Sequence, residues 1–291
     1  MTPLGRFWEE VGEVFASLVR RSRVRGGRSP LRSFRRVKPS TSGLTAVRFK
    51  SRKNSTWLVE RTTRRGTAKV VLKVWGANQR DRARNEFATL ERLAGVVPVP
   101  PVLATGERAL LLGVVPGHNL CDVANALLSP APLVGLARWL AKLHATTSEE
   151  GDPRSCLLHG DPVLRNFTWD GNRVWGLDLE EARAGEFLDD MAGACASILN
   201  TRPGFPDPLH VPAKLHLARQ FATAYASLRP WPGVPEALRE ELAGRVATAL
   251  QRAEKKRADR NGKLEGDELG SWASFFLERL AQGKLPSFSF L

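Results

Sequence analysis

The sequence predicts an α+β chain of two lobes, a small five-stranded N-lobe followed by a mainly helical C-lobe. Three observations carry that expectation. From residue 44 apolar residues recur at period two through "LTAVRFK", "TWLVERT" and "AKVVLKVW". Beyond "PGHNL" the spacing becomes helical. The chain has 291 residues, enough for two lobes with a cleft between them.

Taken in order, "GRFWEEVGEVFASLVR" (residues 5–20) places Phe7, Trp8, Val11, Val14, Phe15, Leu18 and Val19 at helical spacing, with acids at the start and arginines at the end as the helix dipole prefers. A basic linker rich in Arg, Gly, Ser and Pro follows, so residues 1–40 form a separate helix-and-linker segment. Residues 41–116 form the N-lobe: three strands, a turn at "TRRGT", a helix in "RDRARNEFATLERLAG" stopped by Gly95, and two strands around Gly106 in "VVPVPPVLATGERALLLGVV". The boundary falls near Pro116 and Gly117. Residues 117–291 form the C-lobe, with an amphipathic helix in "LVGLARWLAKLHATT" and further helices at 210–228, 234–258 and 270–282.

Composition narrows the function classes. No apolar run reaches the 18 residues of a membrane-spanning helix, and the N-terminus lacks the apolar core of a secretory signal. Cys121, Cys156 and Cys195 are too few and too scattered for a disulfide framework or a zinc site, which fits a cytoplasmic setting. The net charge of +14 is uneven: residues 1–75 hold 19 Lys and Arg against four Glu, while the remainder holds 25 basic and 26 acidic groups. That asymmetry points to an anionic partner for the first quarter, a phosphate, an anionic membrane surface or nucleic acid. Nucleic acid is the weaker of these, because Phe34 is the lone aromatic within residues 20–40 and base stacking needs more.

The chemistry concentrates in "CLLHGDPVLRNFTWDGNRVWGLDLEEA" (residues 156–182). It reads as a loop, a short strand, a turn at Asp170-Gly171-Asn172 and a second strand. The hairpin returns Asp178 to the neighbourhood of Asp161 and Asn166, and two carboxylates with an amide oxygen suit Mg²⁺. Lys73 sits inside the apolar run "VVLKVW"; on a buried strand its ammonium needs an acid, and Glu86 on the following helix is the available one.

These features together resemble the aminoglycoside-phosphotransferase branch of the protein-kinase-like fold. Lys73, Glu86, "VPVPPVL", "LAKLHA", "LHGDPVLRN" and "GLDLEEA" occur in the family's order, and Asp190 in "GEFLDDMAG" resembles the acid that opens the next helix. The resemblance implies an ATP- and Mg²⁺-dependent phosphotransferase acting on an alcohol group. It makes Asp161 the group that accepts or orients the substrate hydroxyl's proton, gives the metal to Asn166 and Asp178, and brings Lys73, paired with Glu86, to the nucleotide phosphates. His159 is expected to brace the loop, and Glu180 to stand behind the metal ligands or face the substrate. Gly113 and Val115, in the strand "ALLLGVV", would meet the adenine through backbone. The loop "SRKNST" lacks the glycines usual near phosphates, so Arg52, Lys53, Ser55 and Thr56 would supply charge and hydroxyls there instead.

Gly160 stands where protein kinases carry Arg, and eleven residues separate Asp178 from Asp190, too few for a peptide-binding platform. A small-molecule or lipid-linked sugar hydroxyl is therefore the expected acceptor. Three other readings stay open at this point: a catalytically weak kinase-like binding module, a protein kinase, and a membrane- or RNA-binding protein led by its basic arm.

Overall fold

The computed structural model describes residues 44–49, 54–63, 66–148, 152–201, 211–229 and 231–261. The expected helices at 5–20 and 270–282, the basic linker, Arg52, Lys53 and His210 lie outside them.

The N-lobe expectation holds strand for strand. β1 (Leu44–Arg48), β2 (Ser55–Thr63), β3 (Gly66–Val74), β4 (Val102–Gly106) and β5 (Ala109–Gly113) form one antiparallel sheet in the order β1-β2-β3-β5-β4. On β3, Val70 and Leu72 are buried, and the alternate residue Lys73 is buried too, opposite Leu110 of β5. A strand buried on both sides reads as a nearly unbroken apolar run, which is why Lys73 stands out in its sequence. Helix α1 (Arg80–Leu93) lies against the sheet, burying Ala83, Glu86, Leu90 and Leu93.

After β5 residues 114–116, outside any helix or strand, lead into the second lobe. There β6 (His118–Asn119) precedes α2 (Leu120–Leu127), a short helix whose eight residues are too few to show a helical period in the sequence. Asn119 caps it, its Oδ1 accepting from the Cys121 N–H at 3.0 Å, while its Nδ2 donates to the Arg165 carbonyl at 2.8 Å. One residue thus fastens a helix start to the loop that carries Asn166.

The C-lobe core is built from α3 (Ala131–Thr147), α4 (Phe187–Leu199), α5 (Val211–Leu228), α6 (Val234–Glu240) and α7 (Leu242–Asn261), with Leu136, Leu140, Leu188, Met191, Phe221 and Val246 fully buried between them. The single helix expected over 234–258 is two, interrupted at Glu241 (φ −108°). The interruption coincides with the bidentate hold of Arg154 on the Glu241 carboxylate, at 2.8 and 2.9 Å. Among the described residues, no helix is long and apolar enough to cross a membrane.

Two small antiparallel pairings deliver the site residues. β7 (Ser155–Leu158) pairs with β10 (Arg183–Glu186), and β8 (Phe167–Trp169) pairs with β9 (Val174–Gly176) and β6. The turn between β8 and β9 is the expected one. Asp170 Oδ1 accepts from the N–H groups of Asn172 and Arg173, Oδ2 accepts from Trp175 Nε1 at 3.0 Å, and Gly171 takes φ +99°. The Trp175 donor and the two backbone N–H groups hold the Asp170 carboxyl down at about 2.

Candidate active site

Between β7 and β8 runs His159-Gly160-Asp161, and its geometry explains its composition. Gly160 has φ +82°, and a Cβ there would lie 2.0 Å from the Glu181 carbonyl oxygen. No residue with a side chain fits that crossing, which accounts for glycine where protein kinases have arginine. His159 is fully buried, with Nε2 3.0 Å from the Leu177 carbonyl and Nδ1 accepting from the Asp161 N–H at 3.4 Å. Because the carbonyl can only accept, the Nε2 carries the proton and the ring is neutral. Burial lowers the histidine's pKa despite the nearby Asp190, Asp161 and Asp178. His159 therefore braces the loop, as expected, and packs edge-on against Trp139.

Asn166 closes the loop from the other side. Its Nδ2 donates to the Asp161 carbonyl at 2.8 Å and to Asp161 Oδ2 at 3.3 Å. The nitrogen is thereby committed to Asp161, and the amide oxygen is the atom left to meet a cation. The Leu177 N–H donates to the Asn166 carbonyl at 2.8 Å, so the hairpin does return residue 178 beside the start of β8. Asp178 itself takes the left-handed conformation (φ 60°), which aspartate tolerates better than most residues.

Lys73 stands at the centre of the acidic side of the site. Its Nζ lies 2.5 Å from Glu86 Oε2, 2.5 Å from Asp178 Oδ1 and 3.9 Å from Glu180 Oε2, and the residue is only 5% exposed. Burial works to lower its pKa, but the Glu86 and Asp178 carboxylates outweigh it, and the ammonium stays charged. Burial pushes Glu86 up to about 7, against Lys73 and with Asp178 and Glu180. Carboxylate oxygens of Glu86, Asp178 and Glu180 lie within 4.8 Å of one another, a spacing that suits a cation. The Lys73 ammonium fills that role here. Of the three acids, Asp178 is the least enclosed, its side chain 31% exposed, and together with the Asn166 oxygen it offers the hard donors that Mg²⁺ takes.

Of the two places expected for Glu180, the structure gives the one behind Asp178. It does not face a substrate: its side chain is buried and accepts from Asn54 Nδ2 at 3.1 Å, Trp75 Nε1 at 2.7 Å and Arg82 Nη1 at 3.2 Å. Asn85 adds two bonds to the backbone carbonyls of Glu180 and Ala182, at 3.0 and 2.9 Å. Four N-lobe side chains thus clamp the segment after Asp178. Sequence reasoning missed all four; the local signal was the asparagine of "SRKNST" and the indole of "KVW", polar atoms in stretches otherwise destined for burial.

The other site residues fall as follows. Ser55 begins β2, and its hydroxyl accepts from Arg48 at 3.1 Å; Thr56, opposite Lys73, donates to Asn54 Oδ1. Gly113 ends β5 with its N–H already donated to the Pro101 carbonyl, and Val115 lies in the connection that follows. Asp190, 1% exposed on the first turn of α4, accepts from the N–H groups of His159 (2.7 Å) and Gly160 (3.1 Å) and from His144 Nε2 (3.1 Å). The HGD backbone is therefore held from behind by one carboxylate, while Lys73, Glu86, Asp178 and Glu180 gather in front.

Residues 118–231 match the Phosphotransferase enzyme family. The sequence matches no curated protein. Among solved structures the chain is similar to an ethanolamine kinase from Plasmodium vivax (TM-score 0.56, 11% identity, 86% of this chain and 85% of that one). It is also similar to a microcompartment-associated aminopropanol kinase (0.56, 16%, 95% and 99%). An ADP-bound aminoglycoside phosphotransferase is a third likeness (0.51, 12%, 80% and 94%). At these identities the likeness establishes the fold. The chain shares the kinase-like fold of these structures, and the segment that carries its HGD loop, Asn166 and Asp178 matches the Phosphotransferase enzyme family.

Proposed function

We propose that this protein transfers the γ-phosphoryl group of ATP to a hydroxyl of a small-molecule acceptor. The observation that carries the reading is Lys73 bridging Glu86 of the N-lobe and Asp178 of the C-lobe at 2.5 Å each, alongside an Asp161 oriented by Asn166. A phosphotransferase needs that pairing, because positioning and charge stabilisation supply most of the catalysis of phosphoryl transfer.

In this reading Lys73 holds the α- and β-phosphates, and the backbone of Gly113–Val115 takes the adenine. Asp178 and the Asn166 oxygen would hold Mg²⁺, which supplies neutralisation of phosphate charge when bound. Asp161 orients the acceptor hydroxyl and takes its proton as the new O–P bond forms and the bond from the γ-phosphorus to the bridging oxygen breaks. ADP leaves with that oxygen.

The acceptor is neutral or anionic. A polycation would be steered by free acids near the loop, yet the candidates are answered by arginines. Glu180 and Glu181 meet Arg82, Glu186 meets Arg154 and Arg245, and Asp189 meets Arg245 at 2.9 Å. A lipid-linked sugar is the acceptor that would also engage residues 1–40, whose sequence carries apolar residues at helical spacing and a surplus of seven positive charges, features that favour the cytoplasmic face of an anionic membrane. The test is transfer of label from ATP to a panel of cationic, neutral and anionic hydroxyl compounds, with and without Mg²⁺. Transfer to a neutral or anionic acceptor that stops on chelation is expected; transfer confined to polycations would refute the acceptor class. Co-sedimentation of the full chain with anionic vesicles, lost on deleting residues 1–40, tests the membrane contact.

A further inference from the structure

Behind the HGD loop lies a buried polar chain that phosphoryl transfer does not directly use. Arg229, 0% exposed, sits just beyond α5 with its guanidinium 5.6 Å over the Phe187 ring. Its Nη1 donates to the Tyr225 hydroxyl at 3.3 Å, and its Nη2 donates to Ser148 Oγ at 3.0 Å and to the Pro153 carbonyl at 2.8 Å. Among the described residues it forms no salt bridge, and its Nε is a buried nitrogen without a hydrogen-bond partner. A buried cation with no adjacent anion is costly unless a hydrogen-bonded network answers it.

The network leads to an anion. Tyr225 Oη is 2.8 Å from His144 Nδ1, and His144 Nε2 is 3.1 Å from Asp190 Oδ2. Donor chemistry gives the chain a single direction. A guanidinium only donates, so the tyrosine oxygen accepts from Arg229 and turns its own proton toward Nδ1. The histidine proton is then on Nε2, aimed at Asp190, whose oxygens also receive the N–H groups of His159 and Gly160. The opposite tautomer would set N–H against O–H at one end and a lone pair against a carboxylate at the other.

We propose that Tyr225 and Arg229 are positioning residues for the HGD loop, acting through His144 and Asp190 to fix the backbone that presents Asp161. The buried cation at one end and the buried carboxylate at the other polarise the chain, so each bond strengthens the next. Tyr225 joins the two charges and is the link whose loss is most specific. Burial, the first influence on His144, lowers its pKa, and Arg229 acts in the same sense, which keeps the ring neutral as the chain requires.

Part of the test rests on the phosphotransferase reading and part does not. Tyr225→Phe keeps the ring and removes only the hydroxyl; Arg229→Lys keeps the charge and removes the fork. Amide hydrogen exchange at His159 and Gly160 should speed up about 3- to 10-fold in both variants, as expected for losing one hydrogen bond of a buried network. With an acceptor in hand, kcat should fall by roughly tenfold while the KM for ATP stays within about twofold, because loop misplacement affects the chemical step. The comparison protein is Leu250→Ala, a core truncation outside the chain. Faster exchange at these two amides in the chain variants but not in Leu250→Ala supports the proposal. Unchanged exchange in Tyr225→Phe and Arg229→Lys, or an equal rise in Leu250→Ala, overturns it, whether or not the wild-type protein transfers phosphate.

Discussion

Two buried polar clusters flank the same loop, and they solve the burial of charge in opposite ways. In front, Lys73 faces Glu86, Asp178 and Glu180, groups drawn from both lobes. Behind, Asp190 is alone among donors: His144, the His159 N–H and the Gly160 N–H, all from the C-lobe. Burial pushes both Glu86 and Asp190 upward. For Glu86 the neighbouring carboxylates leave it raised to about 7, whereas the donors around Asp190, His144 first, bring it below the usual carboxylate range. An acid among acids keeps an affinity for cations and protons; an acid among donors is a fixed anchor. The first arrangement suits chemistry and the second suits geometry.

The sharpest way to break that division is to remove chemistry without touching either cluster. Asp161→Asn should lower turnover by about 10²- to 10⁴-fold, the usual range for a lost general base, with the melting temperature nearly unchanged. A transfer assay beside a thermal melt checks both. Next in size is Lys73→Met, which strips the front cluster of its cation. Breaking a buried pair by removing one partner costs about 3–5 kcal/mol, so the variant should melt lower and be inactive. Adding Glu86→Gln should restore much of the melting temperature and none of the activity. If the double variant regained activity, Lys73 would be structural.

Smaller effects sharpen the contrast. Glu180→Gln keeps its shape but weakens the bonds from Trp75, Asn54 and Arg82; hydrogen bonds to a charged group are worth about 1.5–3 kcal/mol. The expected result is a moderate loss of stability in thermal melts, because the clamp is structural. The rear cluster should be acid-sensitive. His144 and His159 have pKa values lowered by burial, and Asp190 lies below its ordinary range. In each case the unfolded chain binds protons more readily than the folded one. Stability should be full above the ordinary histidine pKa and fall as pH drops through about 6.5 and then through the carboxylate range. Glu86, raised to about 7, acts in the opposite sense over this range, because the folded chain takes up its proton first. Thermal melts from pH 8 to pH 4 in a Glu86→Gln background should therefore show the fall; a flat profile there would contradict the assignment of neutral, buried histidines.

The sequence made the front of the site readable and left its supports hidden, for physical reasons. Period two marked the first three strands of the sheet, the turn at Gly106 marked the last two, and Asp170-Gly171 marked the hairpin, because these signals are local. Lys73 and Glu86 were readable because each is a charge inside an apolar pattern. The Asn54–Glu180 contact spans 126 residues and His144–Tyr225 spans 81, and neither leaves a mark in its own neighbourhood. The partners of Glu180 were hidden for that reason: from "GLDLEEA" nothing shows that an indole and an asparagine from the N-lobe will enclose it. The break at Glu241 was likewise invisible, since residues on both sides follow one helical pattern and Arg154 lies 87 residues earlier.

The most direct test of the central claim is calorimetric titration of ATP into the full chain, with Mg²⁺ and with a chelator. Three proteins suffice: wild type, Asp161→Asn and Asp178→Asn. If Lys73, Asn166 and Asp178 form a nucleotide and metal site and Asp161 acts on the acceptor, wild type and Asp161→Asn bind Mg²⁺–ATP alike. Asp178→Asn then binds it weakly, and chelation weakens the first two. Metal-independent ATP binding that is equal in all three proteins, or no ATP binding by the wild type, would contradict the account.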